Sequence, residues 1–113
     1  MSKMNLLIGA PPYEVEQAVK RLGMNLRTAR LRRNLTIEQV AQKIGTGPRA
    51  VMDAEKGKPG TGVAVYTALL WTYGLLRPLS DLADPATDTE GLALDQQSGR
   101  ERARTRKRLD NDF

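Results

Sequence analysis

The stretch KIGTGPRAVMDAEKG, residues 43–57, contains residue types that could hold a phosphate group. Its paired glycines and the nearby lysine could form a loop whose backbone amides cradle a nucleotide. A Walker-type loop, however, follows a strand and ends in Gly-Lys-Ser/Thr, whereas here Lys58 and Pro59 follow Gly57. A dinucleotide fingerprint needs a third glycine where Ala50 stands. The stretch is therefore better interpreted as a turn between two helices.

The composition removes most other kinds of site chemistry. The 113 residues include no cysteine and no histidine, which excludes disulfides, thiolate metal sites and the commonest general base. No acidic cluster suggests a carboxylate metal site, and no nucleophile, base and orienting group occur together. We therefore expect no catalytic residue, no metal, no cofactor and no enzymatic activity. No apolar run reaches the ~18–20 residues of a membrane span, so the expected location is cytoplasmic.

The net charge of +5 is distributed in blocks along the chain. Residues 20–58 carry ten basic and three acidic side chains, for a net charge of +7. Residues 81–99 carry five acidic side chains and no basic one, and residues 100–108 carry six basic side chains and one acidic one. A basic block inside foldable sequence is a candidate footprint for nucleic acid, although a merely solvated face would explain the charge about equally well.

Apolar spacing predicts helices and no strands. Apolar residues recur at spacings of three and four in residues 13–34, which predicts a first helix that could bend or begin at Gly23. The segment TIEQVAQKIG predicts a second helix, with Thr36 and Gln39 as a capping box and Gly45 as its stop.

Three further helices follow in the sequence pattern. Pro48 fits the first position of a third helix, because that amide has no helical partner, and Gly57 ends it. The segment VAVYTALLWTYG predicts a fourth helix and RPLSDLAD a short fifth, whereas TEGLALDQQSG predicts at most one weak turn. The predicted organisation is an N-terminal arm (1–12), a helical domain (13–84), an acidic linker (85–99) and a basic tail (100–113) that is mobile or becomes helical when bound.

The second and third predicted helices and their tight turn form a helix-turn-helix motif. With this motif, residues 26–75 resemble the five-helix DNA-binding domain of the Cro and phage-repressor (Xre) family. The shared features are a basic first helix, a Thr-capped second helix, Gly45 at the turn, Glu55-x-Gly57 closing the third helix and a fourth helix that ends in Tyr-Gly-Leu. Gly47 replaces the family's usual Ser/Thr cap and Pro48 its usual polar base-contacting residue. The resemblance implies an all-α, phage-repressor-like fold.

In such a domain the third helix enters the major groove. The resemblance makes Arg49 the principal base-contacting residue, since its planar fork can pair with guanine. Asp53 either accepts a hydrogen bond from a cytosine amine or orients Arg49, and we favour the second role. Met52 and Ala50 offer apolar contact to a thymine methyl group. Helix starts and nearby cations are expected to contact phosphates: Thr36, Ile37, Gln39, Thr46, Gly47, Arg33, Lys56 and Lys58.

Two further expectations concern packing and assembly. In the phage-repressor pattern, arginine at position 30 pairs with glutamate at position 55, so Arg30 and Glu55 are expected to form a structural ion pair. Trp71 falls on the side of the fourth helix opposite its core face, which suggests a dimer or partner interface. The leucines expected to join it are Leu75, Leu76, Leu79 and Leu82. A C-terminal segment that folds back over Trp71 is an equally good interpretation.

The segments outside the motif are similar to HipB-type regulators, which work in toxin–antitoxin modules with a HipA-type kinase, including modules whose toxin is split into two proteins. This resemblance implies an autorepressor and antitoxin that binds double-stranded operator DNA as a homodimer, associates with the toxin or its split components, and lies on the nucleoid when DNA-bound. Two alternatives remain: a protein-interaction module that does not read DNA sequence, and a transcription regulator unrelated to toxin–antitoxin systems. The interaction module would show no salt-dependent DNA binding. The unrelated regulator would bind DNA but would have no toxin partner.

Overall fold

A computed structural model describes the backbone of residues 5–111 and the side chains of residues 5–106. Within this part of the chain all regular structure is helical, which confirms the predicted all-α fold class. The chain divides into two compact units, of which the first ends at Arg77 and the second begins at Pro78. The helices are α1 (Leu6–Gly9), α2 (Tyr13–Arg32), α3 (Ile37–Ile44), α4 (Pro48–Glu55), α5 (Val63–Thr72), α6 (Arg77–Ser80) and α7 (Thr89–Asn111).

The core of the first unit is built from α2, α3, α4 and α5. Its most completely buried large side chains are Leu26, Val40, Val51 and Leu69, each at most 1% exposed. Residues on the faces that apolar spacing predicted account for the rest of the buried apolar set: Ala29, Ala41, Ala54, Tyr66 and Tyr73. The core is thus mostly aliphatic, because the chain contains few aromatic residues.

Local signals place the ends of α3 and the start of α4 where the sequence predicted them. The Thr36 hydroxyl accepts a bond from the Gln39 amide at 3.1 Å, and the Gln39 side chain accepts one from the Thr36 amide at 2.9 Å. Gly45 ends α3 in the left-handed conformation, with φ of 78°. Pro48 is the first residue of α4, as predicted, and Gly47 precedes it as an N-cap without a side-chain bond.

Gly23 is a close-packing position in an uninterrupted helix. A Cβ atom there would lie 2.5 Å from the Ala54 carbonyl oxygen and 2.7 Å from that of Glu55. Gly57, just after α4, has φ of 67°, and a Cβ atom there would lie 2.5 Å from the Lys20 Cα. The two glycines let α2 and the end of α4 approach through their backbones. Helix α2 runs from Tyr13 through Gly23 to Arg32, so it does not start after Gly23.

The structure differs from the sequence prediction at both ends of the chain. A short helix, α1, lies within the predicted arm, with Asn5 as its cap through a 3.1 Å bond from the Leu7 amide. The prediction of at most one weak turn after residue 88 is wrong, because α7 runs for 23 residues through the segment assigned to linker and tail. Asp88 caps this helix by accepting from the Gly91 amide at 2.9 Å. The negative charge of Glu90, in the first turn, also interacts favourably with the positive end of the helix dipole.

Candidate DNA interface

The helix-turn-helix consists of α3, a short turn and α4. The Thr46 amide donates to the Ala41 carbonyl at 3.0 Å, which satisfies one free acceptor at the end of α3. Val40 of α3 and Val51 of α4 are both fully buried in the shared core. These contacts pack α4 against α3 and leave Pro48 and Arg49, at the start of α4, exposed.

A buried ion pair fixes the C-terminal end of α4 to α2. The Arg30 Nε lies 2.7 Å from Glu55 Oε2, and its Nη2 donates to Glu55 Oε1 at 3.0 Å. The third guanidinium nitrogen donates to the Leu35 carbonyl at 2.8 Å. The hydrogen bond to Glu55 raises the pKa of Arg30 above its ordinary value. The structure thus brings together the two residues that the resemblance paired, and their bonds hold α4 against the bundle.

Arg49 lies in the first turn of α4 with its side chain 78% exposed. Asp53, one turn later, places Oδ1 3.7 Å from the Arg49 Nε and 3.2 Å from the Lys58 Nζ. Its carboxylate is therefore shared between two cations, and Lys58 is the nearer one. This geometry suits the orienting role that we favoured for Asp53 over direct acceptance from a base. The involvement of Lys58 was not visible in the sequence, since it depends on the turn after α4.

The two apolar residues proposed for base contact are less accessible than Arg49. Met52 and Ala50 are both half-buried. Ala50 lines a surface cavity of about 500 Å³ whose wall also includes Asp53, Lys58, Val65 and Ile8 of the N-terminal arm. Contact of either residue with a thymine methyl group stays a prediction.

The residues predicted to contact phosphates at the helix starts fall into two groups. At the start of α3, the capping box uses both the side chains and the amides of Thr36 and Gln39, and the Ile37 side chain packs against the core. Of these three residues, Ile37 therefore has the amide that can donate to a phosphate. At the turn, Thr46 is half-buried and Gly47 exposed, and Gly47 leaves the start of α4 without a side-chain cap. Pro48 has no amide hydrogen and the Ala50 amide donates to the Gly47 carbonyl at 3.2 Å, so Arg49 supplies the amide that this helix start can offer to an anion.

The basic side chains in that set have different surroundings. Lys56 is exposed and Lys58 bridges to Asp53. Arg33, by contrast, donates to the Ala29 carbonyl at 2.8 Å and to the Tyr73 carbonyl at 2.9 Å, with its guanidinium 5.4 Å from the centre of the Tyr73 ring. These bonds join the end of α2 to the end of α5. Arg33 thus has a packing role that the sequence did not reveal, and the predicted phosphate contact would have to compete with it.

The predicted interface residues lie on both units. In the first unit, Trp71 is 59% exposed and Leu75 45% exposed, while Leu76 is half-buried. In the second unit, Leu79 is half-buried and Leu82 is 69% exposed. The Lys43 Nζ lies 5.7 Å from the centre of the Trp71 indole ring, a cation–π contact absent from the sequence prediction.

A family model described as a helix-turn-helix domain matches residues 21–83, more than half of the chain. The chain therefore belongs to this helix-turn-helix family. The match supports an Xre-like, DNA-binding regulator, as the resemblance implied. No curated protein matches the chain significantly, and neither does any solved structure. Among residues 5–111, none of the helices combines the length and apolar character that crossing a membrane requires.

Proposed function

We propose that the protein is a sequence-specific autorepressor that binds operator DNA through α4. The observation that carries the proposal is the position of Arg49 on a rigid support. It extends from the exposed first turn of α4, and the buried pair of Arg30 and Glu55 fixes the far end of the same helix. A side chain on a fixed element pairs with a base edge at a lower cost in conformational entropy.

The second part of the proposal concerns how the protein is oriented on the duplex. The Arg49 amide at the start of α4 and the Ile37 amide at the start of α3 hold phosphates on either side of the groove that α4 enters. Asp53 orients the Arg49 guanidinium from one turn further along α4, while Lys58 balances the carboxylate charge near the DNA. Phosphate contacts set the register, and Arg49 supplies most of the discrimination between sequences.

The third part concerns assembly. We propose a homodimer in which Trp71 and the neighbouring Leu75 meet their counterparts in a second copy. An indole with most of its surface in solvent supports this proposal, because large exposed aromatic side chains are favoured at interfaces. A dimer would bind two half-sites about one DNA turn apart.

The most specific part of the proposal is a HipB-type role in a toxin–antitoxin module. The support is the sequence resemblance of the segments outside the helix-turn-helix. In this role the chain binds a HipA-type kinase toxin or its split components, acts as antitoxin, has no enzymatic activity or cofactor of its own, and works in the cytoplasm on the nucleoid. Purification of the tagged full chain from its host should recover a kinase-like protein and operator DNA. Recovery of DNA alone would leave a repressor outside any toxin–antitoxin module.

The reading of sequence by α4 is tested with Arg49→Ala. The wild-type operator is first selected from random duplexes, and its affinity is compared with that of an unrelated duplex at one salt concentration. Loss of a bidentate arginine–guanine contact should reduce the discrimination by about 1–3 kcal/mol, or about 5–150-fold. Arg27→Ala, which removes an exposed arginine from α2, is the matched control and should leave the discrimination ratio nearly unchanged. Equal ratios in wild type and Arg49→Ala would remove Arg49 from the reading of bases.

A further inference from the structure

The C-terminal half of α7 concentrates positive charge on a helix that stands in solvent. Arginines occupy every second position from Arg100 to Arg106, and every residue from Leu92 to Arg106 is exposed. None of the ion pairs among the described side chains involves these arginines. We infer that this half of α7 is a second DNA-binding element, which lies in a groove of the duplex and contacts phosphates on both sides without reading sequence.

The helical period places the four arginines on two opposite faces. At about 100° per residue, Arg100 and Arg104 lie about 40° apart around the axis. Arg102 and Arg106 form a second pair, about 200° around the helix from the first. A flat anionic surface can meet only one of these faces at a time. A groove with a phosphate chain on each side can meet both.

The dimensions of B-DNA suit this arrangement. Its major groove is about 12 Å wide, and an α-helix with its side chains is about 10–12 Å across. A helix in the groove would extend one arginine pair toward each strand's backbone. The occupant is inferred to be duplex DNA rather than an acidic protein because two walls of regularly spaced negative charge match two opposed rows of guanidinium groups.

The charge pattern is unfavourable for the helix alone, which indicates that an anion completes it. Arg100 and Arg104 are like charges four residues apart, and so are Arg102 and Arg106, and such pairs destabilise an isolated helix by about 0.2–0.5 kcal/mol each. Glu101 is the one acidic residue between Arg100 and Arg106, and it forms no ion pair among the described side chains. Phosphates on both sides would remove this repulsion. The helix should therefore become more protected when DNA binds.

The test uses the full chain and a duplex of random sequence, so it does not depend on operator recognition. A variant with all four arginines changed to glutamine removes the charge and keeps helix propensity, since the two residues are similar in this respect. The control variant changes the same four residues to lysine and keeps the charge. Fluorescence anisotropy over a range of salt concentrations gives the slope of log affinity against log salt. Circular dichroism measures the helix content of each variant.

We expect the glutamine variant to lose up to about 3.6 units of salt slope, at about 0.9 per phosphate contact, and the lysine variant to lose little. Glutamine at one pair alone, Arg100 and Arg104 or Arg102 and Arg106, should remove about half of that slope. Hydrogen exchange in residues 100–106 should slow when the random duplex is added. These results would support contact on both faces.

Several results would overturn the inference. An unchanged slope and affinity in the glutamine variant would show that α7 does not bind DNA. The same conclusion would follow if hydrogen exchange in residues 100–106 stayed the same after the duplex is added. If glutamine at only one of the two arginine pairs lowered the salt slope, α7 would contact DNA on one face only and would not lie in a groove. The ratio of operator to random affinity separates this inference from the proposed function, because α7 contacts should scale both affinities together, whereas Arg49→Ala should change the ratio.

Discussion

The buried pair of Arg30 and Glu55 offers a sharp test of what holds α4 in place. Arg30→Met removes the cation and keeps an unbranched side chain of similar length. The change breaks the 2.7 Å and 3.0 Å bonds to Glu55 and the 2.8 Å bond to the Leu35 carbonyl. It leaves a carboxylate whose side chain is only 6% exposed without its partner.

The expected loss is about 3–5 kcal/mol of unfolding free energy, because breaking a buried pair leaves an uncompensated charge. That is a large part of the about 5–15 kcal/mol that stabilises a typical domain. Replacing both members, as in Arg30→Met with Glu55→Met, should cost much less, since a buried pair exchanged for apolar residues of similar size is often near neutral. A double-mutant cycle from the two single variants and the double variant gives the coupling energy.

The assay is urea unfolding followed by circular dichroism, with Arg27→Met as the control on the exposed face of the same helix. The control should change the unfolding free energy by no more than about 0.5 kcal/mol. Equal stability of Arg30→Met and Arg27→Met at neutral pH would refute the reasoning, because the exposed arginine has no buried partner to lose.

Two further predictions concern packing in the first unit. Gly23→Ala should lower the unfolding free energy by about 1–3 kcal/mol, because the Cβ atom of the alanine would lie 2.5 Å from a backbone atom of α4. The control is Gly99→Ala, at a helical glycine whose added Cβ atom would have nothing within 4 Å, and this change should raise helix content. A Gly23→Ala protein that is more stable than the wild type would contradict the close contact. Tyr73→Phe removes a buried hydroxyl that lacks a hydrogen-bond partner among the described residues, and should raise the unfolding free energy by about 1 kcal/mol. Burial raises the pKa of Tyr73 and of Tyr66, so the stability that depends on their protonated forms is lost as pH rises above about 10. Tyr73→Phe should therefore move the alkaline unfolding midpoint to higher pH, and an unchanged midpoint in a circular-dichroism titration would contradict this.

Local chemistry explains why α3, α4 and α5 were predictable. A capping box at Thr36, a left-handed glycine at position 45 and a proline at the first position of α4 act within a few residues, so their spacing is visible in the sequence. The apolar periods also identified the buried faces. The helix α7 was missed because it contains two glycines and has no apolar face, so apolar spacing does not indicate a helix there. The capping bond to Asp88 is a single local contact and was too weak a signal by itself.

The candidate site was predictable to a smaller extent. Arg49 and Asp53 lie four residues apart on one helix, so their proximity follows from helical geometry. The approach of Lys58 to Asp53 depends on the course of the turn after α4. The pairing of Arg30 with Glu55 was inferred from a family resemblance, since apolar periodicity does not indicate which charges meet across the bundle.

The sequence by itself determined the helical class, the helix-turn-helix, the basic surface and the lack of any cysteine or histidine chemistry, because these depend on residue type and short-range spacing. Tertiary structure alone decided the roles of Gly23 and Arg33. A glycine that weakens a lone helix lies where two backbones touch, and an arginine in a basic cluster bonds the end of α5. Both roles depend on which elements approach in space, and that approach is set by packing of the whole core.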